Sequence, residues 1–295
     1  MNVEQTVVPF IGHNSITPFE LEGSVVDIPV MEKPLPLFPD KKGIYKTVDG
    51  EPVLGLGIVG KDYPLTTHVD FFKQQHDMLQ RKLPTGHLDR LQIKYKVAKK
   101  GAFALQDIIF PSITIPIETN KHKTTLSLRY VSWHGVDGHT SNNGVFGAID
   151  FFCENGSISG EFDTVRRKNT KNFELRAFID EVEQSVDVFY ERAKMYQAWA
   201  AKPIYMQQAQ ACIEKLPGIT KAKATKLYDL YVNETLVRGH NVWTLYSAMT
   251  NYSSHVDNGF ALRKTRSDHA ARSMLSREFE VVKWISSSSF EKLAA

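Results

Sequence analysis

The chain has 295 residues, of which 42% are apolar, and its 36 lysines and arginines against 33 aspartates and glutamates give a net charge of +3. This apolar share can bury a full core, which excludes a globally disordered chain, and no apolar run approaches the length of a bilayer span. No secretory signal is evident at the start, and Cys153 and Cys212 form neither a disulfide framework nor a metal-ligand pair, so we expect a cytoplasmic protein.

The charge is unevenly distributed along the chain. Residues 1–80 carry six basic against eleven acidic residues, whereas residues 81–100 carry seven basic residues against Asp89 alone. A band of this kind suits a polyanion, because phosphate neutralisation supplies most of the sequence-independent affinity for nucleic acids. The alternative is a solvated basic face on an ordinary domain, and charge alone does not separate the two.

Residues 1–42 are predicted to form a proline-rich arm, since the prolines within Glu32–Asp40 favour an extended chain over a helix. A hairpin follows, with strands at 43–48 and 53–59 and a two-residue Asp49-Gly50 turn. Gly55, Gly57 and Gly60 match the GxGxxG pattern. They lie inside a strand rather than between a strand and a helix, so they predict a bulge or a close backbone approach instead of a nucleotide site.

The next elements are a helix from Thr67 to about Leu83, with Thr67 as its N-cap, and a run of strands. We predict the strands at 92–98, 102–109, 112–118, 125–133 and 145–152. The order of a hairpin, a helix and a strand meander gives an α+β fold with an antiparallel sheet, whose strand–strand–helix–strand core occupies residues 43–176.

A helical region, residues 177–295, is predicted to pack on this core. A clean apolar stripe at 3.6-residue spacing predicts a long helix from Phe173 to about Ala200, and shorter helices follow at 205–216, 221–232, 241–255 and 271–285. Within this region, residues 216–227 resemble the sequence pattern of a helix–hairpin–helix, a motif that offers backbone amides to a DNA phosphate. The alternative is an ordinary helix start with Thr220 as N-cap.

The segment Ser132–His139 is a candidate for catalysis. Two imidazoles and a carboxylate, at His134, Asp137 and His139, are able to ligate a metal or to form a base with its orienting acid. A third anchoring ligand is not identifiable, and the turn residues after a strand favour a hairpin loop whose polar side chains bond the local backbone. We therefore predict neither a metal nor a cofactor.

Basic residues interleaved with aromatic ones are the strongest chemical feature. Alternate residues on a strand share a face, so Lys94 and Lys96 should point together while Tyr95 faces away. Such a sheet face is able to track a flexible phosphate backbone without reading sequence. The predicted DNA-binding residues are Arg90, Lys94, Lys96, Lys99, Lys100, Lys121, Lys123, Arg129, Arg166, Arg167, Lys168 and Lys171.

Three stretches of the chain resemble the phage- and plasmid-borne family catalogued as domain of unknown function 932. They are Leu54–Leu65, the segment Ser132–Arg167 with its Ser-x-His-x-x-Asp-Gly and Cys153-Glu-Asn-Gly156 elements, and Asn241–His255. The resemblance implies a remote similarity to Rad52-type single-strand annealing proteins, which form rings and bind single-stranded DNA in a basic groove. It also implies that Asn155-Gly156 is a turn and that Cys153 is buried.

The leading hypothesis is therefore a non-catalytic protein of a phage or plasmid that binds single-stranded DNA and anneals strands in the bacterial host cytoplasm. The resemblance implies a homo-oligomer, either a ring or a filament, that acts with an exonuclease or a single-stranded DNA-binding protein and not with a membrane. Two alternatives stay open. One is a metal-dependent nuclease or hydrolase centred on His134, Asp137 and His139, and the other is an interaction protein without a nucleic-acid role, such as an antagonist of host defence.

Overall fold

A computed structural model describes residues 6–9, 21–88, 90–150, 155–158, 175–255 and 267–295, with the backbone alone for 6–9, 155–158, 175–184 and 267. The predicted contacts Arg166, Arg167, Lys168 and Lys171, and also Cys153, lie outside the described residues. The described strands are β1 Thr6–Pro9, β2 Val30–Leu35, β3 Phe38–Val48, β4 Glu51–Gly60, β5 Gln92–Ala98, β6 Phe103–Glu118, β7 Lys123–Gly135, β8 Asn143–Asp150 and β9 Asn155–Ile158. The described helices are α1 His68–Lys82, α2 Leu175–Ala201, α3 Met206–Glu214, α4 Lys221–Arg238, α5 Val242–His255, α6 Ala270–Ile285 and α7 Ser288–Ala294.

The predicted hairpin is present as β3 and β4, and it belongs to a small antiparallel sheet of order β2-β3-β4. Asp49 and Gly50 have φ values of 51° and 81°, the left-handed pair that a tight two-residue hairpin turn requires. Because β2 pairs with β3, and β3 begins at Phe38, the predicted boundary at residue 43 falls inside a strand. Residues 30–42 are thus part of this sheet.

Two glycines of the GxGxxG match, Gly55 and Gly57, behave as predicted. The pairing of β3 with β4 shifts register between Ile44 and Tyr45, opposite Gly57 and Gly55, which is a bulge. A Cβ atom at Gly57 would lie 2.6 Å from the carbonyl oxygen of Asp137. The absent side chain therefore lets β4 approach the loop that follows β7.

The larger sheet is antiparallel, and its strand order is β1-β5-β6-β7-β8-β9. The strands predicted at 102–109 and 112–118 form one strand, β6, because a register shift between Phe110 and Thr114 absorbs the interruption. Asn155 and Gly156, expected in a turn, instead pair with Asp150 and Ile149 as the start of β9. The strand–strand–helix–strand order is present along the chain, but its hairpin and its later strands lie in two separate sheets.

Helices cover both faces of the larger sheet. Successive strand residues point to opposite faces, so each strand contributes to two cores. One face, with Ala104, Ile108 and Tyr130, packs with Phe72 of α1 and with aromatic side chains of α2 and α5. The other face packs against α6, where Phe103, Leu105, Val131 and Trp133 meet Ala271, Met274 and Leu275. The α+β fold with a helical C-terminal half is confirmed.

Helix starts follow from capping side chains, because the first amides of a helix lack partners within it. The Oγ1 atoms of Thr67 and Thr220 accept hydrogen bonds from the amides of Asp70 and Lys223, as the sequence predicts for both threonines. The last helix, α7, was not predicted, and Ser287 caps it in the same way. No helix among the described residues is long and apolar enough to cross a membrane.

Candidate nucleic-acid interface

Arg129 occupies the centre of the sheet face that α6 covers. Its Nε and Nη2 atoms each donate to a carboxylate oxygen of Asp107 at 2.7 Å, and its Nη1 atom donates to both carboxylate oxygens of Glu278 at 3.0 Å. The side chain is 3% exposed. The prediction that Arg129 contacts DNA is therefore wrong for this structure, because its donors face two buried carboxylates instead of solvent.

The two carboxylates respond differently to the shared guanidinium. Burial alone raises the pKa of Asp107, but the charge and hydrogen bonds of Arg129 outweigh it, so this pKa is lowered. Burial raises the pKa of Glu278, and Arg129 offsets that rise only in part. Asp107 is thus the tighter partner, held in a planar, doubly hydrogen-bonded pair.

Lys94 and Lys96 share the face that carries Arg129, as the strand alternation predicts, while Tyr95 lies in the opposite core and is 1% exposed. Lys96 is half-buried beside α6, with its Nζ atom 3.2 Å from the Sδ atom of Met274. Burial lowers the pKa of Lys96, although nearby carboxylates oppose this. These two lysines therefore border the side of α6 that packs on the sheet.

The turn between β5 and β6 places its two lysines differently. The Nζ atom of Lys99 lies 2.6 Å from the Asp137 carboxylate and 3.3 Å from the Thr140 hydroxyl, so this lysine fixes the loop after β7. Lys100 is exposed, and its backbone amide donates to the Asp268 carboxylate at 2.6 Å, just before α6 begins. Only Lys100 of this pair presents its charge at the N-terminal end of α6.

The remaining predicted DNA contacts lie away from Lys94, Lys96 and Lys100. Lys121 is exposed in the turn after β6, and Lys123 is exposed at the start of β7, where it pairs with Glu118 at 2.7 Å. This turn and Lys100 lie at opposite ends of β6, whose 16 residues span roughly 50 Å of extended chain. Arg90 is exposed before β5, on the far side of Lys94 from Lys100. The structure thus separates the predicted cations into more than one surface.

A cleft between α4, α5 and α6 adds cations that the prediction did not include. It has a volume of about 490 Å³ and receives Lys223 from α4, Tyr252 from α5, and Arg272 and Arg277 from α6. The Nζ atom of Lys223 donates to Glu280 at 2.7 Å, and Nε of Arg277 donates to the Ser253 carbonyl oxygen at 3.1 Å. The available sequence signals were the lysines of residues 216–227 and the excess of basic residues after residue 201.

The charge state of Lys223 follows from its contacts in the cleft. Burial by itself lowers the pKa of Lys223, but the hydrogen bond to Glu280 outweighs it, so the pKa is raised. The lysine also lies 5.9 Å from the centre of the Tyr252 ring. At neutral pH the cleft therefore presents this lysine as a cation.

The structure separates the three side chains of the histidine loop. His134 is buried under α1, with its Nδ1 atom 2.7 Å from Nδ1 of His68. Asp137 accepts hydrogen bonds from the backbone amides of His139 at 3.0 Å and Thr140 at 2.7 Å, as expected of a turn-forming aspartate. His139 is exposed. Among the described residues there is no group of three side chains suited to a metal ion.

The protonation of the His68–His134 pair follows from its acceptors. Nε2 of His68 lies 2.9 Å from the Gly101 carbonyl oxygen and must donate to it. In a neutral ring Nδ1 of His68 is then the acceptor, so Nδ1 of His134 carries the proton and its Nε2 carries a lone pair. Burial lowers the pKa of His68 to about 4 and lowers that of His134 well below its ordinary value. Both rings are therefore neutral at neutral pH.

A second neutral network lies beside this pair, between α1 and the sheet. The Ser132 hydroxyl donates to Oε1 of Gln75 at 2.7 Å, and Nε2 of Gln106 donates to the Ser132 hydroxyl at 3.1 Å. The His76 ring donates through Nε2 to Oε1 of Gln106. Burial lowers the pKa of His76 to about 4. This network joins α1 to the sheet without a charge.

Together these features define an α+β protein in which an antiparallel sheet carries neutral polar groups on one face and a buried ion cluster on the other. A family model described as domain of unknown function (DUF932) matches residues 56–278, and the chain belongs to this family. The match includes Asp107 and Arg129 and ends at Glu278, so it takes in the whole ion cluster. Comparison with curated proteins and with solved structures finds no match.

Proposed function

We propose that this protein binds single-stranded DNA through the phosphate backbone, without sequence specificity, and promotes the annealing of complementary strands. The observation that carries the proposal is a basic surface around the N-terminal half of α6. This basic surface consists of Lys94, Lys96, Lys100, Lys223, Arg272 and Arg277.

The members of the basic surface come from distant parts of the chain. Lys96 touches α6 at Met274, and Lys100 is tied to Asp268 immediately before that helix. On the adjoining side of α6, Arg272 and Arg277 line the cleft with Lys223. A strand that follows this surface would release condensed counterions from several phosphates, which is the main source of non-specific affinity.

Annealing requires that the base edges stay available for pairing. Contacts to phosphates position a strand but leave its sequence unread, so the bases remain accessible to a complementary strand. Among recombination functions of phages and plasmids this is the role of Rad52-type proteins. The family resemblance and the strand–strand–helix–strand order along the chain support this proposal.

The proposal includes self-association. Val53 and Ile58 of the three-stranded sheet are 57% and 59% exposed, and Leu37 and Phe38, where β2 turns into β3, are 86% and 56% exposed. Exposed apolar side chains on a sheet with open edges favour pairing with a second copy. A mass of 33.4 kDa by light scattering at every concentration, with and without DNA, would contradict this part of the proposal.

A salt titration of oligonucleotide binding tests the proposal. We expect affinity for single strands that falls steeply with salt, and Lys100→Ala should make the log–log salt slope shallower by about 0.7 for the one lost phosphate contact. Lys73→Ala is the matched control, because Lys73 is an exposed lysine on α1, over the opposite face of the sheet. The slope should be unchanged in this control and in a His134→Ala, His139→Ala double variant that is shown to fold.

Other results would exclude the proposal or favour an alternative. Salt-insensitive binding, or strong preference for one duplex sequence, contradicts backbone capture. No binding to single strands at low salt favours an interaction protein, and cleavage that depends on the histidines favours a nuclease. The triple variant Arg166→Ala, Arg167→Ala, Lys168→Ala extends the same test to the remaining predicted cluster. The log–log salt slope should become shallower by about 0.7 for each phosphate contact that is lost.

A further inference from the structure

The cleft between α4, α5 and α6 has a charge suited to a small dianion. Three cations, Lys223, Arg272 and Arg277, line it against the single carboxylate of Glu280. Among the lysine, arginine and glutamate side chains of the cleft, three positive charges and one negative charge leave a formal +2. The hydroxyls of Ser273 and Ser276 add neutral hydrogen-bond donors to the same wall.

The positions of the cations in their helices add to this charge. Lys223 lies in the first turn of α4, and Arg272 and Ser273 lie in the first turn of α6. The amides at a helix N-terminus carry a partial positive charge, so both helices favour an anion at this end. At the start of α6 the preceding residue, His269, makes no side-chain cap hydrogen bond.

The cleft is large enough for more than an isolated ion. Its volume of about 490 Å³ lies within the range of small-ligand sites in proteins. A phosphomonoester carries a charge of about −1.5 to −2 at neutral pH and three acceptor oxygens. A phosphodiester inside a strand carries a single negative charge, so the formal +2 of the cleft matches the monoester better.

We infer that this cleft is a phosphomonoester-binding site and that, on a single strand, it takes the 5′-phosphorylated end. The strand-end part of this inference rests on the proposed function, whereas the phosphate site itself does not. The protein would then distinguish the end of a strand from its interior by charge. The cations and hydroxyls of the cleft would bind the terminal phosphate, while Lys94, Lys96 and Lys100 contact the phosphates further along the strand.

Calorimetric titration of the full-length protein with thymidine 5′-monophosphate, inorganic phosphate and thymidine tests the site. We expect binding of the two phosphates and none of thymidine. Arg272 is exposed, so Arg272→Ala should not disturb folding, and it should weaken phosphate binding about tenfold through the loss of a charge-assisted hydrogen bond. Lys73→Ala again serves as the control and should bind phosphate as the wild type does.

A second variant is expected to bind phosphate more tightly. Glu280→Gln removes the one carboxylate of the cleft, so phosphate affinity should rise about threefold, a gain that an unfolded protein cannot produce. No binding of either phosphate by the wild type, together with no gain in Glu280→Gln, overturns the site.

Oligonucleotides of equal length with a 5′-phosphate, a 5′-hydroxyl or a 3′-phosphate test the strand-end part. The 5′-phosphorylated strand should bind about tenfold more tightly than the other two, and Arg272→Ala should abolish the difference. Equal affinities for all three overturn end recognition but not the phosphate site. Binding of thymidine 5′-monophosphate without binding of any oligonucleotide upholds the site and refutes the proposed function.

Discussion

The two faces of the larger sheet are both buried and both polar at their centres, yet they use different chemistry. Towards α1 the sheet presents Gln106, Ser132 and His134, which bond to neutral side chains of the helix. Towards α6 it presents Asp107 and Arg129, which bond each other and Glu278 of the helix. Two strands, β6 and β7, each contribute to both arrangements, because neighbouring residues of a strand point to opposite faces.

This difference shows how each helix is fixed on the sheet. Neutral networks lose a modest free energy for each missing hydrogen bond, whereas a buried ion cluster fails when a single partner leaves a charge uncompensated. The α1 face should therefore be sensitive to protonation, and the α6 face to removal of one charge. Three measurements sharpen the comparison, ordered by the effect expected of a single residue from the largest to the smallest.

Replacing the central cation should be the most damaging single substitution. Arg129→Met leaves Asp107 and Glu278 buried without the guanidinium that hydrogen-bonds to both, so we expect the free energy of unfolding to fall by about 3–5 kcal/mol. Urea unfolding of the variant measures this loss. Lys194→Met is the control, because it breaks the exposed Lys194–Glu191 pair and should cost about 0–1 kcal/mol.

A combined variant separates charge from packing at the same place. Replacing Arg129, Asp107 and Glu278 together by Met, Leu and Leu should recover most of the loss, because no buried charge remains. If the combined variant is no more stable than Arg129→Met, then side-chain packing rather than charge compensation determines how much this face contributes to stability.

Acid should destabilise the α1 face. The pKa values of His68 and His76 are about 4 in the folded protein against an ordinary value of 6.5. The unfolded chain therefore binds more protons between these limits. The contribution of each neutral histidine to the free energy of unfolding is fully present above the ordinary pKa. It falls by about 3 kcal/mol for each histidine as the pH drops towards 4.

His76→Gln tests the acid effect at one ring, since a glutamine amide is also able to donate to Gln106. The slope of unfolding free energy against pH should decrease by about 1.4 kcal/mol per pH unit at its steepest, because one proton fewer is taken up on unfolding. Ser112→Ala removes no titratable side chain and should leave the slope as it is. An unchanged slope in His76→Gln would show that the buried imidazole does not control this transition.

The smallest effect is expected for a single hydroxyl of the neutral network. Ser132→Ala removes a donor to Gln75 and an acceptor for Gln106, and should cost about 1–2 kcal/mol. Ser112→Ala removes an exposed hydrogen bond to the His87 carbonyl oxygen and should change stability by less than about 0.5 kcal/mol. Equal losses in thermal or urea unfolding would mean that burial does not distinguish these hydroxyls.

Part of the interface was readable from strand alternation. Arg129 lies two residues before Val131 and four before Trp133, so all three share one face, and both apolar residues are buried under α6. That phase indicates a buried arginine rather than a phosphate contact. By the same rule Lys94 and Lys96 were correctly placed on one face with Tyr95 on the other.

The sequence by itself determined the elements that depend on neighbouring residues. The Asp49-Gly50 turn, the caps Thr67 and Thr220 and the start of α2 within two residues of its predicted position all follow from local dihedral preferences, capping and apolar spacing. The register shift opposite Gly57 was also predictable from the local sequence, because glycine in a strand marks a place where backbones approach closely.

Only the tertiary structure decided which charges meet. Glu278 is 149 residues from Arg129, and Glu280 is 57 residues from Lys223, separations at which no periodicity relates one side chain to another. The fold brings α4, α5 and α6 around one cleft and buries Arg129 between α6 and the sheet. Burial then decides whether a basic residue holds a helix in place or remains available to a phosphate, because a desolvated charge needs a protein partner and an exposed one does not.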